Sequence, residues 1–212
     1  MPDARCPMPD ARCPMPMSTS YESSKGYTNY QGLINMPEIL QISQLGNPVL
    51  RRPSQVVENI KDDRIQQLID SLICTVQQAN GVGIAAPQAA QSDRLFIVAS
   101  RPNLRYPQAP NMEPTAMINP RIVAASTETV KDWEGCLSIP GIRGLVPRSR
   151  AIEIEYTSRD GKLQRQELTD FVARIFQHEH DHLDGIVFLD RVESTQELIT
   201  EDEYQKQIVN LL

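Results

Sequence analysis

The sequence predicts an α+β fold, with mainly antiparallel sheets packed around a central helix, an N-terminal helix and a short C-terminal helix. Three observations indicate this class. Residues 65–76 place apolar side chains at helical spacing, and residues 151–158 alternate apolar with polar side chains as a half-buried strand does. Few strand-like segments are separated by helical ones, which favours antiparallel pairing over the parallel sheet that regular strand–helix alternation would build.

The N-terminal helix is predicted from a single apolar stripe. The stripe has the spacing of one helical face and consists of Ile65, Leu68, Ile69, Leu72, Ile73 and Val76. Asp62 or Asp63 can cap the start of the helix, because a short acidic side chain accepts a hydrogen bond from a free backbone N–H there. Gly81 stands where a C′ glycine would end the helix, and Cys74, beside the stripe, is expected to serve packing.

The middle of the chain contains short strand-like segments, which are residues 94–100, 116–125, 151–158 and 162–168. Asp160-Gly161 separates the last two segments and is a strong signal for a hairpin turn. Residues 102–114 contain four prolines, so we expect an irregular surface loop there.

Two further helices are predicted in the last third of the chain. The first should run from a cap at Thr169 or Asp170 to about Leu183, and Gly185 should stop it. The second, short helix should begin at Thr200, because Thr200-x-x-Glu203 has the spacing of a capping box.

Composition and charge limit the classes of protein to which the chain can belong. The chain has 212 residues, of which 40% are hydrophobic and 23% charged, as in a globular protein with one sizeable core. A formal net charge of −6 gives no reason to expect binding to nucleic acid or to an anionic membrane, and no apolar run approaches the length of a membrane span. We expect a cytoplasmic protein with reduced cysteines, and an organelle stroma or matrix is the minor alternative.

The first 35 residues are expected to be a flexible N-terminal arm, which is a tag or a leader. They open with a tandem heptapeptide, MPDARCP MPDARCP, and continue with a segment that has no apolar periodicity. We therefore place the folded domain at residues 36–212.

Residues 177–185 read QHEHDHLDG and contain the pattern His-Glu-x-x-His. On a helix, His178 and His182 lie one turn apart on the same face and can bind one metal ion. Glu179 can reach a water on that ion without being a ligand itself. His180 is turned by about 200° from His178, so we expect it to face solvent as a bystander.

A catalytic metal site of this kind has three protein ligands, so one ligand besides the two histidines must lie elsewhere in the chain. A third histidine at the metzincin spacing is excluded, because Phe188 occupies that position. Glu201 or Glu203 would make the chain a zinc metalloendopeptidase of the His-Glu-x-x-His type, whereas Cys136 lies upstream in WEGCLSIPGIRG. A structural zinc site in a non-enzymatic domain would instead need four protein ligands.

Three motifs in this order, GVGIAAPQ (81–88), EGCLS (134–138) and QHEHDHLDG (177–185), resemble those of the peptide deformylases. The resemblance extends over about residues 39–192 and implies a catalytic domain at 36–212. It implies that Cys136, His178 and His182 bind one metal ion, Fe²⁺ in the cell, which Zn²⁺, Ni²⁺ or Co²⁺ can replace.

The resemblance also implies a reaction, which is hydrolysis of the N-formyl group from N-formylmethionyl nascent polypeptides at the ribosome, with release of formate. Glu179 then corresponds to the general acid and base, and Gln88 with the backbone N–H of Leu137 corresponds to the oxyanion hole. Gly83 and Val82 correspond to substrate contacts.

Overall fold

The computed structural model describes residues 37–103 and 106–209 of the chain. The predicted N-terminal arm with its tandem heptapeptide, residues 1–35, lies outside the described residues. Within them, helices are combined with antiparallel sheets, which confirms the predicted α+β class. Among the helices of these residues, none has both the length and the apolar character that a membrane span requires.

The helices and strands occur in the following order along the chain. They are α1 (Asp63–Gln78), β1 (Gly83–Ala85), β2 (Leu95–Val98), β3 (Thr115–Ala125), β4 (Thr129–Cys136), β5 (Ile139–Ser149), β6 (Ala151–Thr157), β7 (Leu163–Thr169), α2 (Asp170–Leu183), β8 (Leu198–Thr200) and α3 (Glu201–Tyr204). Short 3₁₀ turns connect several of them, and a π-helical turn, Gln205–Val209, follows α3.

The strands form two antiparallel sheets. The larger sheet has five strands in the order β1-β2-β3-β6-β7, and the smaller has three in the order β4-β5-β8. All four predicted strands lie in the larger sheet, as β2, β3, β6 and β7. Gly161 N donates to Ser158 O at 2.8 Å, and Gly161 has a φ of +85°, so the hairpin predicted between β6 and β7 is confirmed.

Helix α1 covers one end of the larger sheet with its apolar stripe. Its stripe packs with side chains of β1 and β2 in one core cluster, and Asp62 caps the helix by accepting a hydrogen bond from Arg64 N at 2.8 Å. The predicted role of Gly81 at the end of the helix is wrong. Asn80 has the left-handed conformation there, with a φ of +50°. Gly81 is needed for close packing instead, since a Cβ on it would lie 2.9 Å from Val76 Cγ2.

Helix α2 is the central helix. Ala173, Phe176 and Leu183 form its apolar face and belong to a second core cluster with side chains of β2, β3 and β6. The helix begins after Thr169 and ends at Leu183, as predicted. Gly185 follows with a φ of +75°, and a Cβ on it would lie 2.8 Å from the carbonyl carbon of Arg51, so both conformation and packing require glycine there.

The smaller sheet is absent from the sequence prediction. Its central strand β5 contains Pro140, Gly141, Gly144 and Pro147, which are residues typical of turns rather than of a strand interior. Pairing with β4 on one side and β8 on the other nevertheless holds β5 in an extended conformation. The sheet meets the charged side of α2, where Arg174 and His178 bond Glu134 of β4, and it carries the EGCLS motif at the end of β4.

The C-terminal helix begins at Thr200 as predicted, but the capping box is only half formed. Thr200 Oγ1 accepts a hydrogen bond from Glu203 N at 3.3 Å. The Glu203 carboxylate accepts from Lys206 Nζ and Gln207 Nε2, each at 2.8 Å, because these residues follow it on the same helical face.

Candidate active site

Cys136, His178 and His182 meet in the interior between β4 and α2. Their ligand atoms all lie within 4.8 Å of one another, and Cys136 Sγ lies 3.3 Å from His182 Nε2. The two imidazole rings are 5.0 Å apart and nearly perpendicular, as expected for side chains one helical turn apart. Cys136 is the last residue of β4, and the β4–β5 pairing shifts register between Gly135 and Cys136.

The other candidates for the third ligand lie elsewhere. Glu201 accepts two hydrogen bonds from Arg143, at 2.7 and 2.9 Å, and Glu203 is paired with Lys206 at the surface. Within residues 37–103 and 106–209, neither carboxylate belongs to a cluster of three metal-ligating side chains. The geometry therefore disfavours a metalloendopeptidase site.

The donor atoms suit a divalent transition metal. One thiolate and two imidazoles are ligands that Zn²⁺, Fe²⁺, Co²⁺ and Ni²⁺ all accept. Glu179 Oε2 is buried beside them and has no hydrogen-bond partner among the described residues. An oxygen atom placed in that way needs a partner that the protein does not provide, which is consistent with a metal-associated water in the cavity.

The acid–base balance of the three ligands also suits a cation. Burial alone would raise the pKa of the Cys136 thiol, but attraction to His182 and hydrogen bonds with both histidines hold that pKa well below its ordinary value. Burial alone would lower the pKa of His178, but hydrogen bonds with Cys136 and Glu134 and attraction to both outweigh burial and raise that pKa well above its ordinary value. The cluster thus favours a thiolate, and a metal ion on the imidazole nitrogen would take the place of the His178 proton.

Glu134 orients His178, a role that was not predicted from the sequence. Its Oε2 lies 2.8 Å from His178 Nδ1, so the Nε2 atom of the ring is left for a metal ion. Arg148 and Arg174 both donate to Glu134 Oε1 at 2.9 Å. Burial would raise the pKa of Glu134, but attraction to Arg148 and the hydrogen bonds from His178 and Arg148 outweigh it and hold the pKa well below the usual range.

The charged network continues through Asp181, which the sequence analysis also missed. Arg148 Nη1 donates to Asp181 Oδ2 at 2.6 Å, and Arg191 Nη2 donates to Oδ1 at 2.7 Å. Both missed carboxylates stand inside the quoted motifs EGCLS and QHEHDHLDG, and Asp181 falls three residues after His178 on one helical face. Both partners of Asp181 lie outside α2, so the spacing within the helix does not by itself indicate the role of Asp181.

Glu179 is buried against strand β1. Burial raises the pKa of Glu179 to about 7, although both neighbouring histidines act against the rise. A Cβ on Gly83 would meet Glu179 Oε1 and would lie 2.8 Å from Cδ, so only glycine leaves room for the carboxylate. A carboxyl group with this pKa can accept and return a proton near neutral pH.

Gln88 and Leu137 approach the cysteine from the other side. Gln88 Oε1 accepts a hydrogen bond from Ala85 N at 2.8 Å, which fixes the amide so that Nε2 points at Cys136 Sγ, 3.4 Å away. Leu137 lies in the two-residue turn between β4 and β5, directly after Cys136. Both residues line the same cavity as Glu179.

The cavity contains nearly every predicted site residue. Val82, Gly83, Gln88, Cys136, Leu137, His178 and Glu179 line it. His182 does not line the cavity, because it is 1% exposed and lies behind Cys136. The predicted positions therefore converge on one site, with His182 at its inner end.

The prediction for His180 was wrong in one respect. The side chain points away from the ligand group, as expected, but only 17% of it is exposed. Arg94 Nη2 lies 3.2 Å from His180 Nε2, and the Phe176 ring stacks on the imidazole at 6.0 Å. Burial accordingly lowers the pKa of His180. Helical geometry gives the direction of the side chain, but it cannot indicate that Arg94 covers it.

A helix with two histidines and a buried glutamate, a cysteine at the end of a neighbouring strand and an open cavity define the class of metal-dependent hydrolases. The family model for polypeptide deformylase matches residues 39–197. The chain belongs to the polypeptide deformylase family, as the three motifs predicted, and it is an enzyme of the hydrolase class.

Individual relatives agree with the family model. The chain is 72% identical over 170 residues to peptide deformylase 2 of Nostoc sp. (strain PCC 7120 / SAG 25.82 / UTEX 2576), a match that covers 80% of this chain and 95% of the relative. It is 44% identical over 168 residues to peptide deformylase 2 of Shewanella oneidensis, which covers 79% of this chain and 92% of the relative.

Solved structures share the fold. The Met-Ala-Ser-bound crystal structure of the class I type b peptide deformylase from Acinetobacter baumannii is similar with a TM-score of 0.72 and 41% identity, over 74% of this chain and 100% of that one. The peptide deformylase from Thermotoga maritima is similar with a TM-score of 0.66 and 35% identity, over 74% and 99% of the two chains.

Proposed function

We propose that this chain hydrolyses the N-formyl group of N-formylmethionyl nascent polypeptides, with Cys136, His178 and His182 holding one metal ion. The observation that carries the proposal is that these three donors lie close together beside the buried carboxylate of Glu179, next to an open cavity. Membership of the deformylase family supports the choice of substrate.

The chemistry is the hydrolysis of a small amide. When bound, the metal ion would polarise both a water molecule and the formyl carbonyl. Glu179 accepts a proton from the water molecule as the water oxygen forms a bond to the formyl carbon. The same carboxyl group returns that proton to the amine nitrogen when the carbon–nitrogen bond breaks, so formate and a free N-terminus leave. A pKa of about 7 suits Glu179 to both transfers.

Gln88 Nε2 and the backbone N–H of Leu137 are proposed to stabilise the negative charge that develops on the formyl oxygen. The hydrogen bond from Ala85 N holds the Gln88 amide in place before substrate binds, so little reorganisation is needed during the reaction. One donor of this kind is worth ~3 kcal/mol in the transition state.

Val82 and Gly83 are proposed to contact the substrate backbone along one side of the cavity. The Acinetobacter baumannii enzyme binds Met-Ala-Ser, a peptide that begins with methionine. This similarity supports a site for the first methionine in the cavity of the present chain, next to the metal ligands.

We propose Fe²⁺ as the ion in the cell, which Zn²⁺, Ni²⁺ or Co²⁺ can replace. The thiolate and imidazole donors accept all four ions, so availability decides between them. An Fe²⁺–thiolate site exposed to oxygen should lose activity as Cys136 oxidises. Metal analysis and activity of protein purified without oxygen, before and after exposure to air, test this assignment.

The substrate implies a working environment. A nascent chain carries its formyl group while it is still attached to the ribosome, so we propose that the enzyme acts there, in the cytoplasm or in an organelle that contains ribosomes. We further propose that residues 36–212 form the catalytic domain, which agrees with the family match to residues 39–197.

A comparison of blocked peptides tests the function directly. Formyl-Met-Ala-Ser and acetyl-Met-Ala-Ser are incubated with the metal-loaded enzyme, and released formate and acetate are measured. The proposal expects rapid release of formate and almost none of acetate, because the methyl group of acetate must fit where the formyl hydrogen lies. Cleavage of a bond inside the peptide, with the formyl group retained, would indicate an endopeptidase instead.

A further inference from the structure

Residues 37–47 form a segment that lies in neither sheet, yet its backbone N–H groups bond three separate parts of the protein. Its first half is anchored on α1. Glu38 N donates to Ser71 Oγ at 3.1 Å. Leu40 N donates to Thr75 Oγ1 at 2.9 Å, and both hydroxyl-bearing side chains belong to that helix. We call residues 37–47 the bridging segment.

The second half of the bridging segment reaches the active site. Ser43 N donates to Gln88 O at 2.7 Å. Leu45 N donates to Ser138 O at 2.8 Å. Gln88 provides one of the two proposed oxyanion donors, and Ser138 directly follows Leu137, whose N–H is the other. The segment therefore holds the backbone at both donors.

The two carbonyl groups that the segment bonds are buried. Gln88 is 1% exposed and Ser138 is 0% exposed, so their carbonyl oxygens rely on protein donors. The two residues also bond each other, since Gln88 Nε2 donates to Ser138 Oγ at 3.2 Å. Removal of one N–H of the segment would cost a buried carbonyl this partner, and the backbone that carries it would have to move.

The first half of the segment is fixed by packing as well as by hydrogen bonds. Leu40 and Ile42 are partly buried and pack against the core cluster that contains the apolar stripe of α1. Leu45 differs, because 48% of it is exposed. The contribution of Leu45 to the fold thus lies in its backbone more than in its side chain.

A turn at residues 44–47 presents the N–H of Leu45. Asn47 N donates to Gln44 O at 2.9 Å, and Gly46 has a φ of +101° at the third position of the turn. This is the pattern of a type II turn, and Leu45 stands at its second position, where proline is common. A proline at that position keeps the turn and removes the N–H.

We propose that the bridging segment positions the two oxyanion donors, and that Ser43 and Leu45 are positioning residues that act through their backbone N–H groups. Leu45 holds the turn that carries the N–H of Leu137, and Ser43 holds the backbone of Gln88. Neither positioning residue lines the reaction cavity. The inference rests on the proposed function, because the donors act only if a formyl oxygen lies between them.

Leu45→Pro tests the role of Leu45, and Leu45→Ala is the matched control, because it shortens the same half-exposed side chain and keeps the N–H. With formyl-Met-Ala-Ser, Leu45→Pro should lower kcat by about 10–100-fold, since a donor is displaced. The KM and the metal content should stay at the wild-type values. Leu45→Ala should match the wild type in all three quantities. An unchanged kcat in Leu45→Pro would overturn the role, and so would an equal fall in Leu45→Ala.

Ser43→Pro tests the other positioning residue, with Ser43→Ala as its control, and it also decides if Leu45→Pro does not fold. Ser43→Pro should lower kcat by at least about tenfold in the wild-type background, whereas Ser43→Ala should not. In the Gln88→Ala background Ser43→Pro should cause little further fall, because the donor that Ser43 positions is already absent. An equal fall in both backgrounds would show that Ser43 serves the fold alone, which would overturn the inference.

Failure of the proposed function is a separate result. It would appear in the wild type, as an absence of formate release from formyl-Met-Ala-Ser, before any variant is compared.

Discussion

The two faces of helix α2 differ in what holds them in place. One face, with Ala173, Phe176 and Leu183, packs on the larger sheet through apolar contacts alone. The opposite face carries Arg174, His178 and Asp181, which are paired with charged residues of the smaller sheet and of the segment after α2. One helix therefore serves the fold with one face and the site with the other. The apolar face fixes where α2 lies, and the charged face fixes how its ligands are oriented.

The largest effect on activity is expected when the carboxylate of Glu179 is changed and the rest of the charged face is left intact. Glu179→Gln keeps the size of the side chain but removes its ability to accept a proton. Formate release should fall by about 10²–10⁴-fold, while the metal content stays equal to that of the wild type. A variant that retains most of its activity would show that Glu179 is not the general base.

A smaller loss is expected from Gly83→Ala. The new Cβ would lie 2.8 Å from Glu179 Cδ, so the carboxylate must move although no catalytic group is removed. We expect kcat to fall by about 10–100-fold, on the scale of a misplaced catalytic group, with metal content unchanged. A change in KM alone would instead indicate that Gly83 serves only as a substrate contact.

The roles of the two faces can be distinguished with one variant that affects each face. Glu134→Gln removes the charge that Arg148 and Arg174 share and weakens the orientation of His178, so metal affinity should fall by about 10–100-fold. Phe176→Leu on the apolar face should cost about 1 kcal/mol of stability and leave metal affinity unchanged. Metal titrations and urea unfolding of both variants measure the two quantities. Equal losses of metal affinity would contradict the division of roles.

The charged face should also make the folding stability of the protein fall at acid pH. The pKa values of Glu134 and Asp181 are held low in the folded protein, mainly by their arginine partners acting against burial. The unfolded chain therefore binds more protons, so the stabilisation is complete above about pH 4.3 and is lost as pH falls through the folded pKa values. Urea unfolding of the metal-free protein from about pH 6 to 3 should show falling stability. The slope should be shallower in Glu134→Gln, and a flat profile for the wild type would refute the interpretation.

Features that depend on local spacing could be predicted from the sequence. The stripe of α1, the turn at Gly161 and the limits of α2 follow from periodicity, turn chemistry and caps, and all three are as expected. The ligand spacing of His178 and His182 is likewise local, because one helical turn separates them.

Features that depend on distant pairing could not be predicted. β5 is a strand only because β4 and β8 flank it, despite its internal glycines and prolines. Glu134 reaches His178 only once β4 has packed on α2, and His180 is covered only because Arg94 lies beside it. No periodicity in a single chain encodes these contacts.

The central claim is that one sulfur and two imidazoles, brought together by β4 and α2, hold a single ion. Metal content after anaerobic purification of Cys136→Ser and Cys74→Ser tests it most directly, because both cysteines are buried and only Cys136 belongs to the ligand group. The account predicts about one metal ion per chain in the wild type and in Cys74→Ser, and a large loss of metal in Cys136→Ser. Equal metal content in the two variants would contradict it.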